Sequence, residues 1–106
     1  MAAKRRRNIL ATVKGYRFSR STKKRAAREA IYHAQLHAFD HRRDKKGDFR
    51  RLWTVRINAA IRAHGIRYSV LINMLKKKNV AMDRKTLAII AKDHPQTFDR
   101  IVTYLQ

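Results

Sequence analysis

The hydrophobic and polar positions along this chain change character near residue 49. Beyond it, apolar groups fall at Phe49, Leu52, Trp53, Ile57, Ala60 and Ile61, the i, i+3, i+4, i+7 intervals of one helical face. Before it, from Asp40 to Asp48, almost no apolar residue occurs, and Arg42, Arg43, Lys45 and Lys46 take over. A helix carrying both halves has one end anchored in a core and the other projecting and densely positive. A globular domain gains nothing by extending a helix that has no face to bury. Contacts for that stretch must come from outside the chain.

The rest of the pattern is helical too, with no strand alternation. A short helix is predicted over about 4–14, with Gly15 ending it. Three apolar residues cannot hold such a helix alone, so it is expected to stay disordered or frayed until a partner orders it. Ser21 or Thr22 suits the N-cap of a long helix beginning near Lys23, with Ala26, Ala27, Ala30, Ile31, Ala34, Leu36 and Ala38 as a thin apolar stripe. Gly47 costs about 1 kcal/mol against Ala, and a bend or break is expected there. A helix over 49–64 then stops at Gly65. Ser69 caps the next over about 70–79, with Val70, Leu71, Met74 and Leu75 inward. Asp83 caps another over about 84–92, with Leu87, Ile90 and Ala91 inward. Pro95 opens the last, with Phe98, Ile101, Val102 and Leu105 inward. The expected fold is all-α: a long basic helical N-terminal extension over 1–48, followed by a small globular helical domain over 49–106.

Charge sharpens this division. The chain of 106 residues carries 27 Lys and Arg against 7 Asp and Glu, a formal charge of +20. Residues 1–58 hold 18 basic and four acidic groups, residues 59–106 nine and three. Positive charge gathers where apolar periodicity is weakest, which separates a binding arm from a folded body. So much like charge is normally neutralised by a polyanion. The absence of cysteine excludes disulfide frameworks and Cys-ligated zinc fingers. No window approaches a membrane span, and the opening MAAKRRRNILATVKG lacks the apolar run of a secretory signal. It is basic and acid-free in the manner of an organellar transit peptide.

Candidate chemistry is sparse. His33, His37 and His41 repeat at i, i+4, i+8 beside Glu29 and Asp40. A His pair one turn apart can chelate zinc or nickel, but a closed site needs four ligands, and neutral histidines near phosphate are the plainer reading. The seven acids are scattered among cations, no glycine-framed nucleophile turn occurs, and three isolated glycines build no phosphate loop. No cofactor and no catalysis are expected. Tyr16 and Phe18 lie among Lys14, Arg17 and Arg20, an interleaving that suits base stacking beside phosphate contacts. One ring could equally pack back on the next helix. Residues 69–92 have helix-turn-helix dimensions, yet offer few side chains suited to reading base edges.

Residues 50–91 carry a resemblance. Phe49-Arg50, Leu52-Trp53, Arg56-Ile57-Asn58-Ala59-Ala60, Gly65-Ile66-Arg67-Tyr68-Ser69, Lys76-Lys77 and Asp83-Arg84-Lys85 follow the pattern of the bacterial-type large-subunit ribosomal protein twenty, the L-twenty family. Lys14-Gly15-Tyr16 and His41-Arg42-Arg43 fall in register upstream. The chain resembles that family closely over about 14–91. It departs from the pattern with Met74 in place of a usual Gly, Gly47 in place of a longer polar residue, and a stretch before Gly15 shorter by about eight residues. The resemblance implies a basic helical extension threaded into large-subunit ribosomal RNA, a helical domain at the outer surface and RNA binding early in assembly. Some members of the family also bind their own messenger.

The combined expectation is a non-enzymatic structural constituent of the large ribosomal subunit that binds its RNA directly and supports assembly. Its partners would be that RNA and neighbouring large-subunit proteins, with no membrane and no small-molecule substrate. Its place would be the cytoplasmic ribosome, or an organellar one. Expected RNA contacts are Lys4, Arg5, Arg6, Arg7, Lys14, Arg17, Arg20, Lys24, Arg25, Arg42, Arg43, Lys46, Arg50 and Arg51, with Tyr16 and Phe18 stacking. The rival expectation is a non-ribosomal DNA-compacting or helix-turn-helix protein.

Overall fold

A computed structural model describes all residues, Met1–Gln106. The chain is all-α: α1 (Ala2–Thr12), α2 (Ser19–Thr22), α3 (Lys24–Arg62), α4 (Tyr68–Lys77), α5 (Arg84–Asp93) and α6 (Pro95–Leu105). None of these helices is long and apolar enough to cross a membrane. The residues form two compact units, Met1–Asp44 and Lys45–Gln106.

The C-terminal unit is built as its apolar spacing predicts. Ile57 and Ile61 of α3, Leu71 and Leu75 of α4, Leu87 and Ala88 of α5, and Phe98, Val102 and Leu105 of α6 make one buried cluster. Each pair or triplet recurs at i, i+4 or i, i+4, i+7 except Leu87–Ala88, where Ala88 slips inward because a methyl group fits beside a neighbouring helix. Asp83 caps α5 as expected, its Oδ1 accepting the Thr86 N–H at 2.8 Å. Pro95 occupies the start of α6, where its missing N–H leaves no helical bond unmade. Gly65, at φ +71°, ends the turn after α3.

Several expectations are corrected. Gly47 does not break its helix, since α3 is uninterrupted over 39 residues. One residue of poor propensity is outweighed by the helical bonds on both sides of it. Ser69 does not cap α4: Val70 and Leu71 both donate to the Arg67 carbonyl at 3.1 Å, so Arg67 is the N-cap. The α4 end also comes earlier than 79. Asn79 takes φ +53° and Val80 N–H returns to the Leu75 carbonyl at 2.9 Å, while Asn79 N–H reaches that of Lys76 at 3.1 Å. This is a Schellman stop with Asn in the position glycine usually holds. Val70 is exposed, and Ile72 is half-buried in its place. Phe49 and Leu52 are exposed too, and Trp53 is only half-buried against the cluster, because the burial supplied by α4 to α6 begins at about Trp53.

In the N-terminal unit the first stretch is helical. It has apolar contacts beyond its own residues: Val13, just past α1, and Ala27 are both fully buried, and Ile9, Leu10, Ala30 and Ile31 are half-buried. Neither Ser21 nor Thr22 caps α3. Both lie in α2, and the carbonyl of Lys23 accepts the first α3 bond, from Ala27 N–H at 2.9 Å.

Candidate nucleic-acid interface

The cations of the first unit sit on three local structures. Lys4, Arg5, Arg6 and Arg7 follow one another on α1, all exposed. At about 100° per residue they fan around most of the helix and so cannot share one face. Arg6 is partly engaged, its guanidinium donating to the Thr22 carbonyl at 3.5 Å. Arg25 is exposed in the first turn of α3, where Lys24 is half-buried. Arg42 and Arg43 are exposed further along α3, with the Arg43 guanidinium 4.6 Å above the Phe39 ring.

Between α1 and α2 the chain makes a tight loop. Gly15 adopts φ +89°, which a residue with a Cβ resists, and Tyr16 N–H donates to the Val13 carbonyl at 3.1 Å. Phe18 follows at φ +55° and ψ −137°, a conformation that costs an aromatic residue about 1–3 kcal/mol. Ser21 holds it there: its backbone N–H and its hydroxyl both donate to the Phe18 carbonyl, at 3.3 and 2.9 Å. The ring is 91% exposed. Of the two readings for these aromatics, packing back on the next helix does not describe Phe18. Tyr16 lines a groove with Ala26 and Ala30 of α3. Lys14, Arg17 and Arg20 are exposed around the loop.

In the second unit, Lys46 and Arg50 stand one turn apart on α3, exposed and without a carboxylate partner. Arg51 differs, pairing with Asp48 at 3.3 Å on the helix surface. The Lys45 ammonium lies 5.8 Å from the centre of the Phe49 ring, which is tilted against Trp53 at 6.2 Å. The sequence expectation omitted Lys76, Arg84 and Lys85. They stand with Arg50 around a cavity that Trp53 lines, and only the fold brings them together. The signal present in the sequence was the cluster of cations on either side of a short inter-helix loop.

His33, His37 and His41 stack in series, ring centres 6.4 and 6.0 Å apart, and His33 lies 3.8 Å from Glu29. No group of three or more His or acidic side chains in the chain is arranged to hold a metal ion.

The electrostatics are simple to state. Of the 27 Lys and Arg, Arg51 alone has a carboxylate within 4.0 Å. The other two ion pairs use histidine, His33 with Glu29 and His64 with Asp99. The positive charge is thus almost wholly uncompensated within the chain and displayed on helical surfaces.

Comparison with known proteins agrees. The family model for Ribosomal protein L20 matches residues 1–101. Among curated relatives, a Large ribosomal subunit protein bL20 of Chloroflexus aurantiacus is 51% identical over 106 residues, covering 100% of this chain and 89% of the relative. The protein of the same name in Roseiflexus castenholzii is 47% identical, covering 100% of this chain and 91% of the relative. That of Opitutus terrae is 48% identical over 103 residues, covering 97% and 81%. The chain belongs to the ribosomal protein L20 family, whose members are structural proteins of the large ribosomal subunit and not enzymes.

Proposed function

We propose that this chain binds large-subunit ribosomal RNA directly and supports early assembly of the subunit. The observation that carries the reading is the isolation of its positive charge: 27 basic residues, with one carboxylate pair among them. Self-repulsion of this size opposes a compact state, and RNA phosphate relieves it. Residues 1–48 are the RNA-binding extension and residues 49–106 the body that anchors it. Lys4, Arg5, Arg6, Arg7, Lys14, Arg17, Arg20, Lys24, Arg25, Arg42, Arg43, Lys46 and Arg50 contact phosphate. Arg51 joins them when its surface pair with Asp48 opens, which costs little in water. Neutralising neighbouring strands in this way lets them approach one another, so the chain helps RNA to fold as well as binding it.

Phe18 and Tyr16 supply stacking. A strained backbone that holds an exposed ring is an arrangement worth its conformational cost only when a partner receives the ring. An unpaired base offers a flat face for it, and Arg17 and Arg20 stand ready for the adjoining phosphates. Neighbouring large-subunit proteins complete the surroundings, in a cytoplasmic or organellar ribosome.

Two measurements test this. Sedimentation of a lysate should place the chain in stoichiometric amount with large subunits; a DNA-compacting or helix-turn-helix protein would remain with the nucleoid or at the top of the gradient. Photocrosslinks from Phe18 and from α1 should then map to large-subunit RNA. Crosslinks that map only to protein would contradict direct RNA binding by the extension.

A further inference from the structure

His33, His37 and His41 form a ladder on one face of α3, with ring centres 6.4 and 6.0 Å apart and successive planes 25° from parallel. All three side chains are exposed, within the stretch read above as the RNA-binding extension. Beside the ladder, Ala26 and Ala30 are too small to fill the surface of α3, and they border a groove of about 640 Å³ that His33, His37 and Glu29 also line. Tyr16 and Arg20 line it from the preceding loop and α2. The titratable and charged groups that face the ladder are therefore Tyr16 and Arg20 across the groove, and Glu29, Asp40, Asp44 and Lys45 at helical spacing on α3 itself. Glu29 alone among the acids comes near an imidazole, 3.8 Å from His33, and both partners of that pair lie mostly in solvent.

The other cations of the extension are lysine and arginine, whose charge is fixed at any ordinary pH. Histidine is the side chain whose unperturbed charge change falls between about pH 5 and 8. A ladder of three, set among groups built to meet an anion, adds charge that comes and goes. Charging all of it in the free chain places like charges on rings 6.4 and 6.0 Å apart, with Arg20 and Lys45 close by. A run of phosphates along the groove turns that repulsion into attraction. A metal ion would need a third ligand, and none is arranged for it. We propose that RNA binding by the extension is proton-coupled: the histidine ladder takes up protons as phosphate reaches it, so that affinity rises as pH falls. The inference rests on the RNA-binding reading above and goes beyond it, because it makes one part of the interface conditional on pH while the arginines and lysines hold at any pH.

The probe is an end-labelled oligouridylate, whose bases carry no group that titrates in this range. Its affinity for the full chain, read by label anisotropy at constant ionic strength, should rise at least about tenfold from about pH 8 to about pH 5. A triple variant, His33→Gln with His37→Gln and His41→Gln, checked for helix content at each pH, should lose most of that rise. His64→Gln with His94→Gln, both in the C-terminal unit, should keep it. Calorimetry in two buffers of different ionisation enthalpy should count protons that the parent takes up on binding and the triple variant does not. An affinity independent of pH, or an equal rise in parent and triple variant, overturns the coupling while RNA binding by the extension stands. A triple variant weakened by one factor at every pH makes the histidines ordinary contacts and overturns it too. Failure of the parent to bind at any pH overturns the RNA-binding reading as well.

Discussion

His64 Nε2 lies 2.7 Å from Asp99 Oδ1, and this pair joins the turn after α3 to the second turn of α6. The His64 ring also packs near Phe98, centre to centre at 6.4 Å. The contact closes the C-terminal unit between elements 35 residues apart in sequence. Because Asp99 is largely exposed, the contribution is that of an ordinary polar contact. His64→Ala should lower unfolding stability by about 1 kcal/mol. Urea midpoints of the variant and parent check it, and an unchanged midpoint would mean that the pair is idle.

Burial ranks the core residues. Phe98 is 2% exposed at the centre of the cluster, whereas Trp53 is half-buried at its edge. Phe98→Ala should therefore cost about 3–5 kcal/mol, and Trp53→Ala about 2 kcal/mol despite the larger side chain removed. In a small body of limited stability, the first change should leave little folded population at room temperature. Thermal melts of the two variants decide the order. A Trp53 variant less stable than the Phe98 variant would contradict it.

Gly47 offers the opposite case. A Cβ built there meets only the end of the Arg51 side chain, at 4.0 Å. Nothing in the packing asks for glycine, so Gly47→Ala should stabilise the chain by about 0.5–1 kcal/mol through helix propensity and backbone entropy. Loss of stability on this change would show that the residue has a steric role in the free chain.

Asp83 gives the pH dependence. Hydrogen bonds from Thr86, first through its side chain and then its backbone N–H, hold the Asp83 carboxyl below its usual value. A carboxyl held lower in the folded chain than in the unfolded one adds stability above the unfolded value. It loses that stability as pH falls through the folded one. The start of α5 should therefore loosen in acid, as pH falls from the ordinary carboxylate value through the lower folded one. Following the Thr86 amide resonance against pH reads the transition directly. Asp83→Asn should keep a capping oxygen while abolishing the transition, and a Thr86 amide that still titrates in that variant would assign it to another group.

How much of this was legible in the sequence differs by element. The body was, because Asp83, Pro95 and Gly65 punctuate helices whose apolar residues recur every third or fourth position. Local chemistry and tertiary packing agree there. The exposure of Phe49 and Leu52 was not legible, because the face they share with Trp53, Ile57 and Ile61 says nothing about how far the neighbouring helices reach along it. Gly47 misled because a propensity of about 1 kcal/mol is small beside a long helix. The positive φ of Phe18 left no sequence signal, since an aromatic residue is among the last expected there. The Asn79 stop was readable in principle, as asparagine tolerates the left-handed conformation, but three preceding lysines favour helix and masked it. The basic residues of the extension were plain from charge alone, and the cavity beside Trp53 was not, since it forms only when α3, α4 and α5 come together.

The central claim is that phosphate neutralisation by the extension dominates binding. It is tested most directly by the salt dependence of RNA affinity, measured for the parent and for a triple replacement of Arg5, Arg6 and Arg7 by Gln. Each phosphate contact contributes a slope of about −0.7 to −0.9 in log affinity against log salt. The triple variant should flatten the parental slope by about two to three units while changing discrimination between cognate and mismatched RNA much less, because backbone contacts position without specifying. An unchanged slope, or lost discrimination at undiminished bulk affinity, would contradict the account.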